Sequence, residues 1–193
     1  MSNKKHFQIS QQAVEKLAVR FGTPLLVLSL DEIKKNYKVL KKYMPRVKIH
    51  YAIKANPHPE ILRVMADMGS CFDVASDGEI RTMHDMGVDG GRLIYANPVK
   101  TGVGLEACRS CGVRKMTFDS ASEIDKIKKQ CPDATVLLRL RIDNSSAHVD
   151  LNKKFGAARE NALALMQQAK EAGLDMAGIA FHVCLLYTSP SPR

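Results

Sequence analysis

Apolar residues along this chain fall into two alternating rhythms. Short apolar runs occupy residues 24–30, 47–54, 71–75, 92–96, 115–119, 135–142 and 177–183, each the length of a β-strand. Between them the apolar positions switch to helical spacing. Ile33, Tyr37 and Leu40 fall at i, i+4 and i+7, as do Ile61, Met65 and Met68, and the theme continues in Ile124 with Ile127 and in Leu163 with Met166. From the second run onward the starts at 47, 71, 92, 115 and 135 are separated by about one strand, one loop and one helix.

The punctuation makes the same cuts. Ser76-Asp77-Gly78-Glu79 and Ser120-Ala121-Ser122-Glu123 are capping-box sequences placed directly after predicted strands. Gly69, Gly87, Gly112 and Gly173 each follow a helical pattern, where a left-handed residue ends the helix. Repeated strand-helix units predict an α/β fold with a parallel sheet. An open doubly wound sheet and a closed (β/α)8 barrel both satisfy this order. Gly102-Val103-Gly104 has no third glycine where a dinucleotide-binding turn needs one, and the even spacing favours the barrel. About six of its eight units are then present. The rhythm breaks between Ile142 and Asn161, where Asp143-Asn144-Ser145-Ser146 reads as a turn before a helix over 159–172. A long excursion after a barrel strand falls on the face where barrel enzymes keep their chemistry; a tolerated surface insertion is the alternative.

Composition narrows the function classes. The chain has 193 residues, 45% hydrophobic and 25% charged, ordinary values for a globular domain, and no apolar run long enough to cross a bilayer. Met1-Ser2-Asn3-Lys4-Lys5-His6 has no apolar stretch behind it, so no secretory leader is expected. The net charge of +9 raises nucleic-acid binding. The excess lies on helical faces such as Lys34-Lys35, Lys38 and Lys41-Lys42, without interleaved aromatics on which bases could stack. Solvated helix surfaces account for most of it, and neither nucleic acid nor membrane is an expected partner. The five cysteines are scattered, and Cys108-x-x-Cys111 lacks the second ligand pair of a zinc site. Reduced thiols of a cytoplasmic protein are the expectation.

One residue stands out chemically. Lys54 ends an apolar run and is followed by Ala55-Asn56-Pro57, which places its amine at the C-terminal rim of the sheet. As the last residue of a strand it would share a face with Ala52 and His50, and the small alanine leaves room for a ligand. A lysine amine in such a place can form a Schiff base with a carbonyl; residue type alone equally permits a surface lysine whose stem covers apolar neighbours.

The words around it carry more. Tyr51-Ala52-Ile53-Lys54-Ala55-Asn56 resembles the cofactor-lysine motif of the fold-III pyridoxal-phosphate enzymes, in the version of the ornithine/diaminopimelate/arginine decarboxylase family. The likeness continues in order through Phe72-Asp73-Val74-Ala75-Ser76-Asp77-Gly78-Glu79-Ile80, Ile94-Tyr95-Ala96-Asn97-Pro98-Val99-Lys100, Met116-Thr117-Phe118-Asp119-Ser120, Leu138-Arg139-Leu140-Arg141 and Ala180-Phe181-His182-Val183. Together with Lys154-Phe155-Gly156, these blocks are most similar to ornithine decarboxylases; an alanine racemase fits the later ones poorly.

The resemblance implies a TIM-like barrel of the alanine racemase/ornithine decarboxylase type and a pyridoxal 5'-phosphate cofactor. It implies decarboxylation of a basic amino acid, ornithine to putrescine for polyamine synthesis, by a cytoplasmic homodimer. Diaminopimelate or lysine as substrate, or a non-catalytic homologue that binds a regulatory protein, remain open. Lys54 and His182 would be catalytic, and Lys54, Asp73, Arg139 and His182 would bind the cofactor, with His182 stacked on its ring. Without the motif, His182 would read as an ordinary core histidine. Glu79 reads as a helix cap, and Lys154 would serve a dimer contact.

The likeness stops after Val183. The family continues with Gly-Ser and a phosphate-contacting serine, whereas this chain has Cys184-Leu185-Leu186 and a Ser-Pro tail. Residues 1–183 are therefore expected to be a truncated barrel domain and 184–193 a segment foreign to the family, with the C-terminal β-domain missing. Such a polypeptide alone is expected to be unstable and inactive.

Overall fold

The computed structural model describes residues 8–142 and 155–182. The expectations for Lys154, the turn at 143–146, Leu185 and the tail at 184–193 lie outside the described residues. After two helices, α1 (Gln11–Phe21) and α2 (Leu30–Tyr43), the chain alternates strand and helix. The order is β1 (His50–Ala52), α3 (Pro59–Asp67), β2 (Cys71–Val74), α4 (Asp77–Asp85), β3 (Leu93–Tyr95), α5 (Gly102–Ser110), β4 (Lys115–Phe118), α6 (Ala121–Gln130), β5 (Thr135–Leu140), α7 (Ala162–Glu171) and β6 (Asp175–Phe181). The six strands form one sheet in the order β1-β2-β3-β4-β5-β6, and every neighbouring pair is parallel. A doubly wound sheet reverses its order at a switch point; here the order runs one way throughout, as in a barrel wall.

Strand alternation divides the residues between two faces. Phe72 and Val74 on β2, Met116 and Phe118 on β4, and Val136 and Leu138 on β5 are fully buried under the helices. They pack with Ile61, Leu62, Ile80, Met83, Leu105, Ile124 and Ile127 from α3 to α6. Each such side chain contributes about 1.5–3 kcal/mol through burial. The intervening residues, among them Asp73, Thr117 and Arg139, face the inner side of the sheet. The four helix-ending glycines take the left-handed conformation the pattern requires, with φ between 71° and 78°. Among the described residues, no helix is long and apolar enough to cross a membrane.

Several expectations are corrected. Residues 24–29 form no strand, and Leu30 already begins α2. The segment has the composition of a strand, but no neighbour among the described residues accepts its backbone hydrogen bonds, and Leu26 is 91% exposed. The helix α1 has no counterpart in the expected elements, and the helix expected from 159 opens with a 3-10 turn before α7.

The two capping boxes also part ways. At α4, Ser76 Oγ accepts from Glu79 N, while Glu79 Oε2 accepts from Ala75 N at 2.6 Å. At α6, Ser120 makes no capping bond with its side chain. The Glu123 carboxylate is instead buried against two lysines, 3.0 Å from Lys100 Nζ and 2.7 Å from Lys126 Nζ. Stranding either charge of the buried Lys100–Glu123 pair would cost about 3–5 kcal/mol, more than a capping bond returns.

The segment Phe155-Gly156-Ala157 bonds onto β5, Ala157 N donating to Arg139 O at 2.8 Å and Arg141 N to Ala157 O at 3.0 Å. Gly156 N donates to Asp119 Oδ2 at 2.8 Å. Gly156 has φ of +101°, and a Cβ there would lie 2.8 Å from Arg141 N. Gly156→Ala is therefore expected to cost about 1–3 kcal/mol in urea unfolding of the full-length parent; a change below about 0.5 kcal/mol would contradict this seating.

Candidate active site

The segment Tyr51–Asn56 builds its own turn. β1 ends at Ala52, and residues Ile53–Ala55 form a 3-10 turn, so Lys54 stands just past the strand and not on its face with His50 and Ala52. Ile53 is 1% exposed, and anchoring it in the core turns the next side chain outward to the rim. Tyr51 Oη donates to the Asn56 carbonyl at 3.1 Å, and Asn56 Oδ1 accepts from His58 N at 3.1 Å. These bonds close the turn and lead into α3, whose first helical residue is Pro59.

The rim of the sheet carries a cavity of about 330 Å³ lined by Lys54, Asp73, Arg139 and His182. The four residues picked from the sequence come from four separate strand ends and meet in this one place. Ala75, Ala96 and Ala180 also line it, and these small side chains leave the space open. Arg139 pairs with Ala180 across β5 and β6, and His182 follows β6 directly. A register shift between Val136 and Leu137 brings Gly178 and Ala180 to the inner face opposite Leu137 and Arg139. Glu79 is not among the lining residues and serves as the cap described above.

Sequence reasoning missed part of the wall. Phe155, Asn97, Pro98, Thr117 and Phe181 line the cavity as well. The Arg139 guanidinium lies over the Phe155 ring, 5.4 Å from its centroid, which fixes an otherwise flexible cation. An aromatic residue beside the lone glycine of Lys154-Phe155-Gly156 was the available clue.

Burial and neighbouring charge tune the site. Burial raises the pKa of Asp73, with Lys54 opposing, Glu79 adding, and His50 and Arg139 opposing. Desolvation lowers the pKa of His182, and Arg139 and Lys54 lower it further against the pull of Asp73. His182 thus favours stability above its ordinary value near 6.5, and that contribution is lost as the pH falls through its lower folded value. Asp73 has the opposite sign: its contribution is present at low pH and lost as the pH rises through its raised folded value. Elsewhere, burial pushes the Cys108 thiol on α5 up to about 12, which makes it an inert core residue. Among the described residues, no group of three or more His, Cys, Asp or Glu side chains could hold a metal ion.

Comparison with known proteins points the same way. Residues 30–188 match the family model for the pyridoxal-binding domain of pyridoxal-dependent decarboxylases. The chain is 51% identical over 179 residues to the lysine/ornithine decarboxylase of Selenomonas ruminantium, covering 93% of this chain and 46% of that protein. It is 39% identical over 178 residues to the ornithine decarboxylase of Neurospora crassa, covering 90% of this chain and 37% of the relative. The solved structure of SrLDC in complex with PLP and cadaverine superimposes with a TM-score of 0.85 at 48% identity, covering 93% of this chain and 45% of that one. The chain thus spans less than half the length of these relatives, from 37% to 46%.

The residues present fit pyridoxal phosphate. A primary amine is available for its aldehyde, a guanidinium for an anionic ligand, and an imidazole beside a row of alanines for a flat ring. The chain belongs to the pyridoxal-dependent decarboxylase family and carries its pyridoxal-binding domain.

Proposed function

We propose that this chain is the cofactor-binding, N-terminal part of an enzyme that decarboxylates a basic amino acid, with Lys54 holding pyridoxal phosphate covalently. The observation that carries this reading is the meeting of Lys54, Asp73, Arg139 and His182 in one cavity at the C-terminal rim of a parallel sheet. When bound, pyridoxal phosphate supplies an electron sink for the charge left on the α-carbon as carbon dioxide departs.

The chain's own residues do the rest. Lys54 sits on a turn beyond the strand, and its exposed side chain has the freedom to give way to a substrate amine. Burial, with Arg139 and Lys54 nearby, disfavours a positive charge on the His182 ring. Arg139, backed by Phe155, attracts an anionic group, and Asp73 balances it. The three alanines keep the cavity wide enough for a planar ligand and its substrate.

L-ornithine is the proposed substrate and putrescine the product, feeding polyamine synthesis; the lysine/ornithine decarboxylase at 51% identity makes lysine the second choice. The parent protein is taken as a cytoplasmic homodimer. In this reading residues 1–183 belong to its barrel domain, with the family-model match running on to residue 188, and a C-terminal β-domain completes the site.

Carbon dioxide release by the full-length parent from ornithine, lysine and diaminopimelate tests the reaction. Ornithine is expected to be fastest, and Lys54→Ala to lower kcat by about a thousandfold or more. A parent that binds the cofactor but releases carbon dioxide from none of these would be a regulatory homologue instead. Proton NMR titration of His182 is expected to give a pKa below the ordinary value of about 6.5, rising in Arg139→Met; no rise in that variant would contradict the assigned charge coupling.

A further inference from the structure

The buried charges behind β3 and β4 lie outside the residues assigned to the cofactor, yet their bonds end on the wall of its cavity. Lys100 closes the loop between β3 and α5 and is 1% exposed. Its ammonium donates to the carbonyls of Asn97 at 3.3 Å, Pro98 at 3.0 Å and Thr117, and pairs with Glu123 Oε1 at 3.0 Å. Glu123 Oε1 also accepts from Lys100 N at 3.0 Å, and Lys126 Nζ donates to the Lys100 carbonyl at 2.6 Å. Thr117 Oγ1 donates to Ala96 O at 2.8 Å. Ala96, Asn97, Pro98 and Thr117 all line the cavity.

The direction of these bonds matters more than their number. The Lys100 side chain is fully enclosed, so the carbonyls that meet it point into the protein and not into the cavity. A buried ion pair adds little stability that packed apolar side chains would not. What it supplies here is four acceptors held around one point, which ties the loop after β3 to the end of β4.

We propose that Lys100 is a positioning residue for the cofactor cavity: held by Glu123, its ammonium fixes residues 96–98 and Thr117 as one rigid wall. This rests on the reading of that cavity as the place of pyridoxal phosphate. Lys100 touches no reacting atom and acts through the backbone it holds.

The test uses the full-length parent and two readouts, the Kd for pyridoxal phosphate by absorbance titration and amide hydrogen exchange over residues 96–101. Lys100→Met is expected to weaken the cofactor by about tenfold or more and to speed exchange in that segment. Glu123→Gln keeps an acceptor for Lys100 N and carries the test if Lys100→Met does not fold; its expected loss is about three- to tenfold. Ile127→Ala, a core change on the same helix as Glu123, is expected to lower Tm while leaving Kd within about twofold. An unchanged Kd in Glu123→Gln overturns the proposal, as does an equal loss in Ile127→Ala, which would make the network purely structural. If the wild-type parent failed to bind pyridoxal phosphate, the cofactor reading would fall instead, while exchange over 96–101 would still report whether Lys100 holds the loop.

Discussion

Everything in this molecule hangs on where each strand's alternate residues must go. The helices cover one face of the sheet, so every second strand residue has to be apolar, and Phe72, Val74, Met116, Phe118, Val136 and Leu138 meet that demand. The remaining positions are released from packing and can carry polar chemistry. Asp73, Thr117 and Arg139 stand among them. Ile53 extends the rule past the end of β1, since sinking it into the core is what delivers Lys54 to the rim. The site is therefore a by-product of core packing, assembled from strand ends that are distant in sequence and adjacent in the sheet.

Two lysines show how differently the fold uses one residue type. Lys54 lies exposed on a turn, free to react. Lys100 is enclosed; burial pushes its pKa down while the Glu123 carboxylate opposes the change, and its charge goes to holding a loop. Arg92, a different cation, caps the C-terminal end of α3 through the Ala66 and Ser70 carbonyls. Part of the positive excess thus serves the interior, which the helix faces alone did not account for.

Much of the fold was legible because its rules are local. Glycines after helices and apolar alternation in strands report on neighbouring residues only, and β2 to β6 and their helices follow them closely. The four residues of the cavity were legible for another reason, the likeness of the blocks around them to a known family. What escaped depends on contacts far apart in sequence. Residues 24–29 have strand composition but no strand partner among the described residues, Glu123 leaves its capping box for Lys100 some 23 residues away, and Phe155 meets Arg139 across a long stretch of sequence. No periodicity records such meetings.

The proposed reaction depends above all on covalent attachment of pyridoxal phosphate to Lys54. Borohydride reduction of the cofactor-loaded parent, followed by peptide mass spectrometry, tests it without relying on turnover. A pyridoxyl label is expected on the peptide carrying Lys54 and on no other lysine. A label on Lys100, Lys115 or any other lysine, with Lys54 unmodified, would contradict it.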